Sequence, residues 1–238
     1  MKLLVLLLTF LPGMVLGQEN PTIVGAAVRS RPAYDGSQSQ RTDIIPVLRY
    51  YGRPWFARTT QGVLEAGVRN ELAPDFWAGA QIAYEPGREQ SESPFLESRG
   101  EPDLDAGASV GLHVEWDRRL GPVPLTFLIR ARQHLDSSLG GQADLRLTAG
   151  VLSRGGLQAA VFGQATWGTE NAVRSRYGPP NSGLLFLTAG IQAGYDLSRH
   201  WLLVASFELR TLRDEAKNSV LSERNSNHYA AAGLAYRF

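Results

Sequence analysis

Between Leu104 and Trp116 the chain alternates without a break. Leu104, Ala106, Ala108, Val110, Leu112, Val114 and Trp116 fall on one side, and Asp105, Gly107, Ser109, Gly111, His113 and Glu115 on the other. Side chains of an extended strand point alternately to its two faces, so this period-two pattern specifies a strand with one apolar and one polar face. The same alternation returns at 76–84, 123–134, 144–151, 157–167, 185–196 and 201–210, with shorter candidates at 22–31, 43–51, 54–60 and 62–70 and a last one at 228–238. Together they make about twelve strands, an even number as single-chain bacterial barrels have. The expected fold is all-β, one antiparallel transmembrane barrel.

Two features distinguish a barrel in lipid from a soluble one, whose apolar face would turn inward. Connection lengths alternate. Those near 52–53, 71–74, 117–121, 153–156 and 197–200 are short, while 32–42, 86–103, 135–142, 169–183 and 213–227 are long, with a tight exception at 60–62. Aromatic residues on the apolar faces also gather at strand ends. Phe76, Trp116, Tyr195, Trp201 and Tyr236 lie beside the short turns, and Tyr84 and Trp167 at the opposite ends. Short periplasmic turns, long external loops and two aromatic girdles describe an outer-membrane barrel surrounded by lipid.

The N-terminus agrees with export. Lys2 precedes an apolar run from Leu3 to Leu11, Pro12 and Gly13 interrupt it, and Val15-Leu16-Gly17 offers small residues for cleavage. Residues 1–17 are read as a signal peptide and 18–238 as the barrel. The run is too short for a membrane-spanning helix, which needs ~20 residues. The formal charge of +1 gives no basic field for nucleic acid, and the absence of cysteine excludes disulfides and thiolate chemistry. Lys2 and Lys217 are the only lysines among 24 basic residues, a scarcity that suits a surface made largely by lipid.

Polar residues on the inner faces are the candidates for function. Asp105, Glu115, Arg130, Arg132, Asp144 and Arg146, with Glu208 and Arg210, are expected to point into the lumen. They could form an anion-selective ring in an open pore, or ion pairs that plug a narrow one; mixed signs favour the plug. Ser109, His113 and Glu115 share the inner face, but strand positions two apart stand ~6.6 Å from one another, too far for a hydrogen-bonded triad. No catalytic residue is assigned. His134, beside Asp136 and Ser137, and His228 are read as exposed loop residues, and no metal or cofactor spacing occurs. The five acids of the 86–103 loop lack the spacing of a calcium loop. Arg118 and Arg119 in the turn after Trp116 are the candidate partner contact at the periplasmic rim, with headgroup anchoring as the alternative. Leu234, Tyr236 and Phe238 share one face, a pattern that resembles the assembly signal of outer-membrane proteins, with Phe238 its final residue.

Several segments resemble the MipA/OmpV family of outer-membrane proteins. They are Arg31-Pro32-Ala33-Tyr34-Asp35-Gly36-Ser37, Ile45-Pro46-Val47-Leu48-Arg49-Tyr50-Tyr51-Gly52, Tyr177-Gly178, Tyr195-Asp196-Leu197-Ser198 with Trp201, Ala216-Lys217-Asn218-Ser219-Val220, and Ala232-Gly233-Leu234-Ala235-Tyr236-Arg237-Phe238. The resemblance implies a non-enzymatic barrel that scaffolds murein machinery, joining a lytic transglycosylase to a murein synthase, and it supplies no catalytic residues. The alternative functions are a small pore or a surface adhesin.

Overall fold

The computed structural model describes residues 21–178 and 181–238; the expected signal peptide lies outside them. Twelve strands follow in order: β1 Ile23–Pro32, β2 Gln40–Tyr51, β3 Trp55–Thr60, β4 Val63–Ala73, β5 Phe76–Glu85, β6 Gly107–Leu120, β7 Val123–His134, β8 Gly141–Arg154, β9 Leu157–Gly168, β10 Gly183–Asp196, β11 Trp201–Leu212 and β12 Ser226–Arg237. Each pairs antiparallel with its neighbours in sequence, and β12 pairs with β1 to close the barrel. Closure leaves no sheet edge round most of the wall, which a hydrocarbon surround requires because lipid cannot hydrogen-bond a free strand.

The seams are unequal. β1 and β12 share eight residue pairs from Ile23↔Arg237 to Ser30↔Ala230. β2 and β3 share only Arg49↔Arg58, Tyr50↔Ala57 and Tyr51↔Phe56. The short β3–β4 hairpin stops at Gln61–Gly62, and the upper half of β2, with Pro46 in it, continues beyond it. Above this notch the β5–β6 loop reaches across, and Glu92 in a 3₁₀ turn at Gln90–Glu92 pairs with Arg31 (3.8 Å) and Arg41.

Exposure follows the alternation. Val110, Leu112, Ile129, Leu145, Leu147, Val161, Leu187, Ile191, Leu203, Phe207 and Leu209 face outward, while Ser109, His113, Glu115, Arg130, Asp144, Gln164 and Glu208 are buried within. Tyr84 and Trp167 lie outward at the long-loop end, and Trp116, Tyr195 and Trp201 at the other. β6, β8 and β10 have 14 residues each, more than the ~9–11 that cross a bilayer, so they project beyond it.

Some boundaries differ from expectation. β6 runs on to Leu120, which pairs with Val123, so the 117–121 turn contracts to Gly121–Pro122 and Arg118 and Arg119 lie on the strand. The β8–β9 turn is the pair Gly155–Gly156, both at positive φ (58° and 81°), as a two-residue hairpin turn whose twist matches the strands demands. The alternation at 185–196 puts Leu185 on the lipid face with Leu187 and Ile191. A register shift between Leu184 and Phe186 turns it inward, where it is buried. His228 sits in β12, not in a loop, and faces outward against the ring of Phe207 at 6.5 Å.

The long loops fold over the mouth. They carry α1 Pro94–Arg99, α2 Glu170–Tyr177 and α3 Asp214–Asn218. Val173 and Tyr177 of α2, Ala216 of α3, and Leu185, Phe186 and Leu212 make a small apolar core there. The β1–β2 loop locks onto it: Tyr34 donates its hydroxyl to the Leu221 carbonyl (3.0 Å), Asn227 donates to Ser37 O (2.8 Å), and Gly36 N donates to Asn227 (2.7 Å). Burial and the nearby Glu223 carboxylate push the Tyr34 phenol well above its ordinary value. The Arg31–Ser37 and Ala216–Val220 segments, far apart in the chain, thus meet in this cap.

At the final strand, Phe238 continues the outward row. Its ring lies edge-on to Tyr236 at 4.9 Å, and its N–H donates to Thr22 O (3.0 Å). Deleting Phe238 is expected to lower the amount of folded barrel in outer-membrane fractions and raise degraded protein in the periplasm. Unchanged levels would remove Phe238 from assembly.

Candidate functional site

The lumen is crossed by a chain of ion pairs. Glu65, fully buried on β4, accepts from Arg58 Nε at 2.9 Å and from Arg130 Nη1. Arg130 also donates to Asp144 Oδ2 through Nε (2.9 Å) and Nη2 (2.6 Å), a fork that fits a guanidinium's fixed geometry. Arg58 Nη1 donates to Glu115 (2.9 Å), which also takes Arg69 Nη1 at 3.5 Å. Asp144 further accepts from Thr166 (2.7 Å) and Gln164 (3.2 Å). Arginines and acids from β3, β4, β6, β7 and β8 therefore tie opposite walls together.

Arg132 lies between Glu85 (3.3 Å) and Asp144 (3.5 Å). Arg146 is not in an ion pair among the described residues; its guanidinium covers the Phe162 ring at 3.7 Å and reaches Gln192 at 3.5 Å. Asp105 does not join the lumenal set. β6 begins at Gly107, so Asp105 precedes the strand and is exposed at the mouth. Arg210 turns to the cap, pairing with Asp35 at 2.8 Å and stacking on Tyr229 at 4.5 Å. Gln61, at the β3–β4 hairpin tip, donates across the lumen to Glu208 (2.9 Å).

The three residues weighed for catalysis are not joined. Ser109 donates to Glu85 (2.8 Å), Glu115 is held by arginines, and His113 packs edge-on to Phe56 at 5.1 Å. His134 is not an exposed loop residue. It is buried at the end of β7, where its Nδ1 accepts from Asp136 N (3.1 Å). Sequence reading missed Arg58, Glu65, Arg69, Phe56 and Phe162. The first three stand on the short β3 and on β4, where the spacing of charge at 65 and 69 on one inner face was the signal available.

At the short-turn end, Arg118 and Arg119 are exposed, and Arg118 lies over the Trp116 ring at 4.4 Å. Arg53, Arg154 and Arg199 are also exposed at that end, against Glu71 and Asp75. Among the described residues no cluster of three or more histidines and acids could hold a metal ion.

The family model described as MltA-interacting protein MipA matches residues 24–238, from the first strand through the last. The chain belongs to this family. MipA-family membership accords with the shape. An outer-membrane channel from Pseudomonas putida F1 superposes with a TM-score of 0.54 over 92% of this chain and 95% of its own, at 12% identity. The NanC porin gives 0.54 over 91% and 100%, at 10% identity. LpxR from Salmonella typhimurium gives 0.51 over 90% and 100%, at 8% identity. Likenesses so distant establish the fold alone: this MipA-family chain is a closed twelve-strand antiparallel β-barrel of the kind seen in outer-membrane proteins. A search of curated protein sequences returned no match.

Proposed function

We propose that this barrel is a non-enzymatic scaffold for murein synthesis and remodelling, presenting its periplasmic rim to murein enzymes. The carrying observation is the family match across the whole barrel, whose description names an interaction with MltA, a lytic murein transglycosylase by the resemblance. Two features of the geometry support it. The lumen is occupied by paired charge, which leaves the rims as working surfaces. The short-turn rim, periplasmic in barrels of this kind, carries exposed arginines without acidic partners among the described residues.

Arg118 and Arg119 are the proposed contact. Arginine is favoured at interface hot spots because its fork binds carboxylates and its plane stacks. The competing role is anchoring, since Arg118 on Trp116 is also how a side chain snorkels to anionic headgroups. An Arg118→Glu, Arg119→Glu double variant should fold and insert yet co-purify with much less murein transglycosylase and synthase. Undiminished co-purification, with loss of phenotype on trimming the external loops, would replace the scaffold by the adhesin or pore reading.

A further inference from the structure

Inside the mouth, beneath the cap, lies a cavity of about 220 Å³ lined by the upper ends of β1, β5, β7 and β8 and by α2. Its charge is unbalanced on one side. Glu85 is shared by Arg132 (3.3 Å) and Arg176 (3.6 Å), and it accepts from Ser109 as well. Arg88 is 6% exposed, yet it has no carboxylate within ion-pair distance among the described residues. It donates to the carbonyls of Arg176 (3.2 Å) and Pro102 (3.4 Å), and its plane lies 5.7 Å from the Tyr34 ring. The other acids of the lining are also engaged: Asp144 by Arg130 (2.6 Å) and by Arg132 (3.5 Å), and Asp35 by Arg210 (2.8 Å). Asp105, at the entrance, is exposed.

Two guanidinium groups therefore share Glu85, and a third, that of Arg88, lines the same cavity with no carboxylate of its own among the described residues. Two of their buried donors have no hydrogen-bond or ion-pair partner among the described residues: Nε of Arg88 and Nε of Arg132. Buried N–H groups on cations are costly when unpaired, and more so than neutral ones. Arg58 and Arg130, deeper in the barrel, each have two carboxylates, whereas Arg88 has none among the described residues. Donors of this kind fit an oxyanion.

We propose that this vestibule binds a small oxyanion, a phosphate or carboxylate group, between Arg88, Arg132 and Arg176. Arginine forks match both groups bidentately, and the cavity admits a solute of a few heavy atoms. Glu85 holds two of the forks in position and keeps the empty site from carrying three bare charges. The same chemistry is offered by free solutes and by lipopolysaccharide phosphates. The position inside the ring of strands favours a free solute.

The test uses the mature barrel folded in neutral detergent, with inorganic phosphate titrated calorimetrically at ionic strength matched by chloride. Saturable binding at one site is expected, weakened at least tenfold by Arg88→Gln and by Arg176→Gln. Both residues lie outside the strand ladder, so these variants should keep the heat-dependent gel shift of a folded barrel. Arg154→Gln, at the opposite rim, should bind as wild type does. Absence of saturable binding, or equal binding in wild type and both site variants, would overturn the proposal. Added lipopolysaccharide that competes with phosphate would assign the site to a lipid headgroup; lack of competition would assign it to a free solute.

Discussion

Glu65→Ala is expected to cost about 3–5 kcal/mol of barrel stability, the loss that follows when one partner of a buried ion pair is removed and the other charge stays buried. Two guanidinium groups, Arg58 and Arg130, converge on this fully buried carboxylate. Urea unfolding in lipid vesicles, followed by tryptophan fluorescence, would report the change as a lower midpoint. Glu170→Ala is the comparison. Glu170 pairs with Arg174 along α2, one turn apart and with both side chains about half exposed, so its loss should cost no more than ~1 kcal/mol. Similar midpoints for the two variants would mean that water already fills the lumen around Glu65. Glu65→Ala should also raise conductance in a planar bilayer, because the pairs it removes are those that bridge the walls.

Leu112→Arg should destabilise by ~2–4 kcal/mol, the range for arginine at the bilayer midplane of a barrel. On β6 the upper aromatic level is marked by Ala108, which pairs with Tyr84, and the lower by Trp116 itself. Leu112 lies midway and is 68% exposed. Val110 is one outward step nearer the upper level, so Val110→Arg should cost less than Leu112→Arg. An equal or reversed order, measured by the same urea titration, would shift the hydrocarbon band along the wall. Gly111 does not serve as an inward control. A Cβ there would lie 2.3 Å from the Ala131 carbonyl oxygen, so any side chain would strain the β6–β7 ladder whatever its charge.

The long strands could be read from the chain because burial on one face imposes strict alternation, and a one-residue slip would turn every apolar side chain into the lumen. Leu104–Trp116 and Trp201–Arg210 are clear for that reason. β3 and β4 are less so, since Ala57, Ala66 and Gly67 give little contrast between faces. With them went Arg58 and Glu65, the centre of the lumenal network. Leu185 was misread because a single inserted residue at a bulge reverses parity, and no residue type announces it. Asp105 was misread because alternation continued past the true strand start. The cap was out of reach: α2 and α3 have eight and five residues, too short for a helical period to stand out, and their packing depends on contacts between distant loops. Which arginines lack an acid is likewise a matter of reach between strands, not of spacing along one.

The three-pair seam between β2 and β3 gives the wall a natural parting line that differs from the chain's own ends. β1 and β2 are held to β12 by more pairs than bind them to β3, so in mechanical terms the first hairpin belongs with the last strands. Considered as a ribbon, the sheet starts at β3, runs through β12, and finishes with β1 and β2. The join that makes it a ring is then the covalent turn at Gly52–Pro54, and a cut in that turn, with the original termini linked, would leave a ribbon whose two edges are the strands that grip each other least.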